Sequence, residues 1–211
     1  CFERFGADGW EVFESVIAYA AAQGLIVIAD AKRGDIDATA RAYADAFLRD
    51  PVDALTVNPM LGGDALEPFV TRAGAEWRGL FVLVRTSNPG ARDLEDLPLA
   101  DGRLWHEAVA DLVAGIGEPH RDASGLSAIG AVVGATVPER LADLRRRMPD
   151  QVFLLPGVGA QGGTPQALGP AFGGRPAGAL VSASRSIIYA DDPARAADEL
   201  RTAVWGAWTA G

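Results

Sequence analysis

Four charged residues stand within six positions, Asp30, Lys32, Arg33 and Asp35, and the Lys32 ammonium is flanked by two carboxylates. The apolar, β-branched run Leu25-Ile26-Val27-Ile28 before them, bounded by Gly24, reads as a strand buried on both faces. Side chains alternate along a strand, so Asp30 and Lys32 point to one side and become near neighbours at its carboxyl end. That end is where α/β folds keep their chemistry. Asp35 lies beyond Gly34, in the turn entering the next helix, and need not face the same pocket. The competing reading is a solvated, charged turn holding an ion pair. A second group is the glycine-rich turn Gly157 to Gly163 together with Arg185. Glycines let backbone N–H groups converge on an oxyanion, and a guanidinium fork suits phosphate; the alternative is a tight turn and a surface arginine. Ser87, in the polar run Arg85 to Gly90, has no histidine or G-x-S-x-G context and reads as a hydrogen-bonding group. His106 and His120 lack the spacing of a metal pair and read as surface or helix residues.

The elements that must carry these groups alternate. Trp10, Phe13, Ile17 and Ala20 recur at helical spacing, and Gly24 follows at a left-handed cap position, so a helix is expected over about 8–23. After the first strand come a helix from Thr39 to Leu48, a strand from Ala54 to Asn58, and a helix over about 63–74. A strand from Gly79 to Val84, a long loop from Ala91 to Gly102 and a helix over about 103–116 follow. Strands at Ala128–Val133, Val152–Leu155 and Gly178–Ser182, with helices over about 138–147 and 192–205, complete the pattern. Strands recurring every 25–45 residues, each followed by a helix, are the mark of parallel βα units. Six such units fall two short of a (β/α)8 TIM barrel, and the helix-first start puts the gap at the N-terminus. An open doubly wound sheet is the alternative, but Gly157-Val158-Gly159-Ala160-Gln161-Gly162 fits the dinucleotide spacing only very late in the chain. In barrels the turns after the last two strands are the usual phosphate site, and the glycine turn and Arg185 occupy them.

With 28 acidic and 19 basic residues, a net charge of -9 and 49% apolar content, the 211 residues suit one globular domain with a sizeable core. No basic surface is available for nucleic acid or anionic lipid. The single cysteine, Cys1, and the lack of an 18-residue apolar run or signal-peptide pattern point to a reducing cytoplasm without membrane attachment.

Asp30-Ala31-Lys32-Arg33-Gly34-Asp35-Ile36 resembles the D-x-K-x-x-D-I signature of the orotidine 5'-phosphate decarboxylase family. Thr86-Ser87-Asn88-Pro89-Gly90 looks like that family's serine turn, which touches the pyrimidine. Pro156 to Gly163 looks like its phosphate-side loop with glutamine at Gln161, and Ser184-Arg185-Ser186 like its phosphate arginine. The similarity runs from end to end, and Phe2-Glu3-Arg4-Phe5-Gly6 with the serine turn looks most like the actinobacterial branch. Related barrels that act on sugar phosphates carry a similar motif with magnesium; Ile36, the serine turn and Gln161 favour the nucleotide enzyme.

The resemblance implies loss of CO₂ from orotidine 5'-phosphate to give UMP, without metal or organic cofactor. Lys32 would be the cation that meets the developing carbanion and then supplies the proton, with Asp30 facing the departing carboxylate. Asp35, Ile36 and Thr39 would serve the neighbouring subunit's site, making a homodimer obligatory. Ser87, Gly157, Gln161 and Arg185 would bind the nucleotide. The family's first two strands, which supply an aspartate to the ribose and a further lysine, have no counterpart here, so the sequence is expected to be a piece of a longer protein. Two rivals stand beside this reading: a magnesium-dependent sugar-phosphate lyase or synthase, and a non-catalytic phosphate-binding barrel fragment.

Overall fold

Six strands follow one another along the chain: β1 (Ile28–Arg33), β2 (Ala54–Val57), β3 (Gly79–Arg85), β4 (Ser127–Val133), β5 (Gln151–Pro156) and β6 (Ala179–Ser182). They belong to a computed structural model that describes residues 2–159 and 162–210. Strand order in the sheet is the order of the chain, and the registers of β1 with β2, β4 with β5 and β5 with β6 are parallel. A doubly wound sheet reverses its order at a switch point; a one-way order is the connectivity of a (β/α)8 barrel, here present as six units. The chain divides into two compact units, Cys1–Leu80 and Phe81–Gly211.

In the first unit a 3-10 turn (Phe2–Phe5) leads into α1 (Gly6–Ala22). The expected stripe is real, since Trp10 and Phe13 pack on Phe47 with ring centroids 5.4 and 6.1 Å apart. Gly24 closes the helix at φ 74°, with its N–H on Ala21 O (2.8 Å) and the Leu25 N–H on Ala20 O (3.1 Å). That is a complete Schellman motif, and it displaces the first strand from its expected place. Leu25 and Ile26 finish the cap and stand 61% and 77% exposed rather than buried, and pairing with β2 starts at Val27, whose carbonyl accepts the Asp53 N–H at 2.9 Å. The strand then runs on through the charged motif. α2 (Asp37–Phe47) and α3 (Gly63–Ala75) cover the unit, with Leu48, Leu55, Leu66 and Phe69 fully buried; each such side chain stabilises the fold by about 1.5–3 kcal/mol.

In the second unit α4 (Trp105–Gly117) and α5 (Pro138–Arg147) follow β3 and β4, with Pro138 at the first helical position as expected. Arg145 is buried at the end of α5. Its guanidinium donates to the carbonyls of Met148, Gln151, Ala171 and Gly178 at 2.6–3.0 Å and lies 3.7 Å above the Phe153 ring centroid. Burial pushes its pKa down to about 10, which leaves it charged at neutral pH. Short elements lacked a sequence signal, among them a 3-10 helix at Pro165–Phe172, where two prolines break any period, and α6 (Arg185–Ile188) before α7 (Pro193–Ala210). The long loop is a 3-10 turn (Pro89–Asp93) closed by a bridge from Pro98 to Leu104. His106 lies on α4 and is buried, not on the surface. Among the described residues no helix is long and apolar enough to cross a membrane.

Candidate active site

The charged motif at the end of β1 is shaped by a bulge. Ala29 pairs with Leu55 and Arg33 with Val57, so Asp30, Ala31 and Lys32 all stand opposite one residue of β2, Thr56. Extra residues in one strand re-aim its side chains. Lys32 sits at φ 49°, a left-handed conformation that costs a non-glycine residue roughly 1–2 kcal/mol. Thr56 holds it there. The fully buried threonine hydroxyl accepts the Lys32 N–H (2.9 Å) and donates to Asp30 Oδ1 (3.0 Å), the same oxygen that receives Lys32 Nζ at 2.6 Å. Side-chain exposures of 49% for Lys32 and 60% for Asp30 leave this ion pair worth at most about 1 kcal/mol to stability. Arg33 turns the opposite way, stacking 4.7 Å from the Phe47 ring centroid and pairing with Glu3.

Asp35 does not join the pair within its own chain. Its Oδ1 accepts the Ile36 N–H at 2.8 Å at the entry to α2. Gly34 is needed beside it, because a Cβ there would lie 3.0 Å from Asn58 O and 3.1 Å from Asn58 Cβ. Ile36 and Thr39 are exposed at the start of α2.

In the second unit Ser87 follows β3 and lines a cavity of about 430 Å³ with Asn88, Arg92, Thr136 and Val137. Gly134 N–H donates to Arg85 O (2.6 Å) and Thr136 Oγ1 to Ser87 O (3.1 Å). A Cβ on Gly134 would come within 2.9 Å of the Ser87 N and Cα, so the chain leaving β4 presses directly on the serine turn. After β5 the chain turns through Gly157 (φ 103°), Gly159 (φ 77°) and Gly162 (φ 93°). The N–H groups of Gly159, Gly162 and Gly163 bond to Gly163 O, Gly159 O and Gly157 O, so these amides close the turn on itself rather than converge on an open site. Gln161 lies outside the described residues. Gly159 approaches the turn after β6, where a Cβ on it would meet Ser186 Oγ at 3.3 Å. Arg185 is exposed beside that contact and, among the described residues, has no ion-pair partner. It is thus a cation held by backbone placement and left available.

Thr56, which fastens the charged pair, carries no signal in the sequence: in Ala54-Leu55-Thr56-Val57 it reads as a polar β-former, and only the register reveals its contacts. Among the described residues no group of three or more His, Cys, Asp or Glu is placed to hold a metal ion.

Residues 1–200 match the family model described as orotidine 5'-phosphate decarboxylase / HUMPS family. The orotidine 5'-phosphate decarboxylase of Rhodopirellula baltica is 48% identical over 197 residues, covering 90% of this chain and 65% of that protein. The enzyme of that name from Halorubrum lacusprofundi is 47% identical over 202 residues, covering 93% and 68%. The chain thus spans about two thirds of the length of these relatives. Among solved structures, the Leishmania donovani OMP decarboxylase superposes with a TM-score of 0.79 at 36% identity, covering 97% of this chain and 78% of that one. The Leishmania donovani UMP synthase gives 0.82 at 39%, covering 96% and 44%. With its one-way strand order and the motif at the end of β1, the chain belongs to the orotidine 5'-phosphate decarboxylase / HUMPS family.

Proposed function

We propose that the protein containing this chain converts orotidine 5'-phosphate to UMP and CO₂. The observation that carries the reading is the Lys32–Asp30 pair, 2.6 Å apart at the carboxyl end of β1 on a bulge fastened by Thr56. Decarboxylation breaks the bond from the ring carbon to the carboxylate and leaves the electron pair on that carbon. Lys32, as a fixed cation, stabilises that charge and then gives its Nζ proton to the carbon, yielding UMP; solvent restores the proton. Asp30 keeps the ammonium in place and faces the leaving carboxylate. Ser87 reads the pyrimidine, and Arg185, Gly157 and Gln161 hold the phosphate, whose binding energy holds the ring carbon against the charged pair. Asp35, Ile36 and Thr39, exposed or turned away from their own Lys32, contribute to the site of a second copy, so the active species is a homodimer. This chemistry needs no metal or organic cofactor.

The test is turnover of orotidine 5'-phosphate by the natural protein, followed by the ultraviolet change on loss of the carboxylate, with and without EDTA. Turnover unchanged by the chelator supports the reading. Turnover abolished by it would mark a magnesium-dependent relative, and phosphate-ester binding without turnover a binding protein.

A further inference from the structure

Arg85, which lines the Ser87 cavity from the end of β3, forms a charge cluster with two half-buried acids of the following loop, Glu95 and Asp96. Arg85 is 3% exposed at the end of β3, and its Nε and Nη2 donate to Asp96 Oδ1 and Oδ2 at 2.8 and 2.9 Å. This bidentate pair neutralises the guanidinium, and Arg85 Nη1 also donates to Thr86 O at 2.6 Å. Glu95 stands farther from Arg85, 3.5 Å from Nη1, and its carboxylate does a different job. Its Oε2 accepts the Thr86 N–H at 2.7 Å and its Oε1 the Thr86 hydroxyl at 2.9 Å. The hydroxyl has one proton and a second acceptor, Asn88 Oδ1, at 2.7 Å, so it serves one at a time.

The backbone of Glu95 is itself fixed. Its N–H donates to Ala91 O (2.8 Å), and its carbonyl accepts both the His106 N–H (3.0 Å) and His106 Nδ1 (2.7 Å) from the first turn of α4. That explains why His106 is buried. On the opposite side Gly134 and Thr136 block the serine turn, as described above. Ser87 is therefore held between the chain leaving β4 and a carboxylate presented by the loop, and the loop side is the one fastened by side chains alone.

We propose that Glu95 positions Ser87 for recognition of the pyrimidine, acting through Thr86 without touching the ligand. The inference rests on the reading of Ser87 given above. Asp96 and Arg85 form the rigid base of the device, whereas Glu95 sets where the serine backbone and hydroxyl stand.

The experiment measures Kd for UMP and for ribose 5-phosphate on the natural protein and on Glu95→Ala, Glu95→Gln and Thr86→Val. Glu95→Ala should weaken UMP on the order of tenfold, the scale of one or two charge-assisted hydrogen bonds, and leave ribose 5-phosphate unchanged. Glu95→Gln, which keeps an acceptor for the Thr86 N–H, should restore most of the affinity. Thr86→Val, which keeps the fold's backbone bonds, should show the same selective loss in smaller measure. Equal loss of both ligands, or no loss of UMP in a folded Glu95→Ala or Thr86→Val protein, would overturn the inference. A natural protein that binds ribose 5-phosphate as tightly as UMP would instead overturn the reading of Ser87 itself.

Discussion

Lys32 is placed by one buried hydroxyl. Since Asp30, Ala31 and Lys32 share Thr56 as their only opposite residue, the threonine both satisfies the amide of a strained lysine and orients the carboxylate that receives its ammonium. Thr56→Val keeps the shape and removes the hydroxyl. Leaving the Lys32 N–H without an acceptor should cost about 1–2 kcal/mol of stability, and, on the proposed reading in which other residues hold the phosphate, kcat should fall much more than KM. Thr56→Ser should recover kcat; a Ser variant as slow as the Val variant would show that side-chain bulk, not the hydroxyl, matters. Arg185 makes the contrasting case of a residue with no visible structural task. Arg185→Ala should leave thermal stability within about 0.5 kcal/mol and weaken UMP by several kcal/mol while barely changing uridine. Titration calorimetry with both ligands checks this, and equal losses would remove Arg185 from the phosphate.

The segment between β3 and α4 shows what a linear pattern hides. Arg85 to Gly102 reads in sequence as a polar, charged loop, and nothing in its spacing says which acid meets the buried arginine, because the pairing depends on a turn at Pro89–Asp93 and on an anchor from His106. Regular elements were legible where period and punctuation agree: the α1 stripe with Gly24, Pro138 opening α5, and the apolar β3 and β4. The start of β1 was not, since Leu25 and Ile26 carry strand-like side chains but are taken up by the helix cap. The same buried pair gives a pH prediction. The Arg85 guanidinium holds the Asp96 carboxyl below its usual 3.8. A lowered folded pKa means stability that is present above the unfolded value and lost as pH falls through the folded one, so the loop's anchor weakens below about pH 3.8. Asp96→Asn should be less stable than wild type at neutral pH, and the gap should narrow on acidification under that value. Urea midpoints from pH 7 to 3 test this, and a gap independent of pH would show that the ion pair is not the source.

At the scale of the molecule the question is whether one chain suffices. Lys32 finds Asp30 in its own chain, but Asp35 spends its carboxylate on the Ile36 amide, and Ile36 and Thr39 face outward beside it. These are the residues that the family resemblance gives to a neighbouring subunit, and their exposure leaves them free to go there. Lys32→Ala and Asp35→Ala homodimers of the natural protein should each be nearly inactive, because every site lacks one member of the array. In a mixed dimer the defects redistribute: if Asp35 acts across the interface, one site collects both substitutions and the other keeps native Lys32 and native Asp35. Random exchange makes about half the dimers mixed, each with one good site of two, so activity should return to roughly a quarter of wild type. If Asp35 serves its own chain, each site of the mixed dimer retains one defect and nothing returns. Absence of recovery, with exchange verified by differently tagged chains, would therefore refute both the assignment of Asp35 to the partner site and the dimer as the catalytic unit.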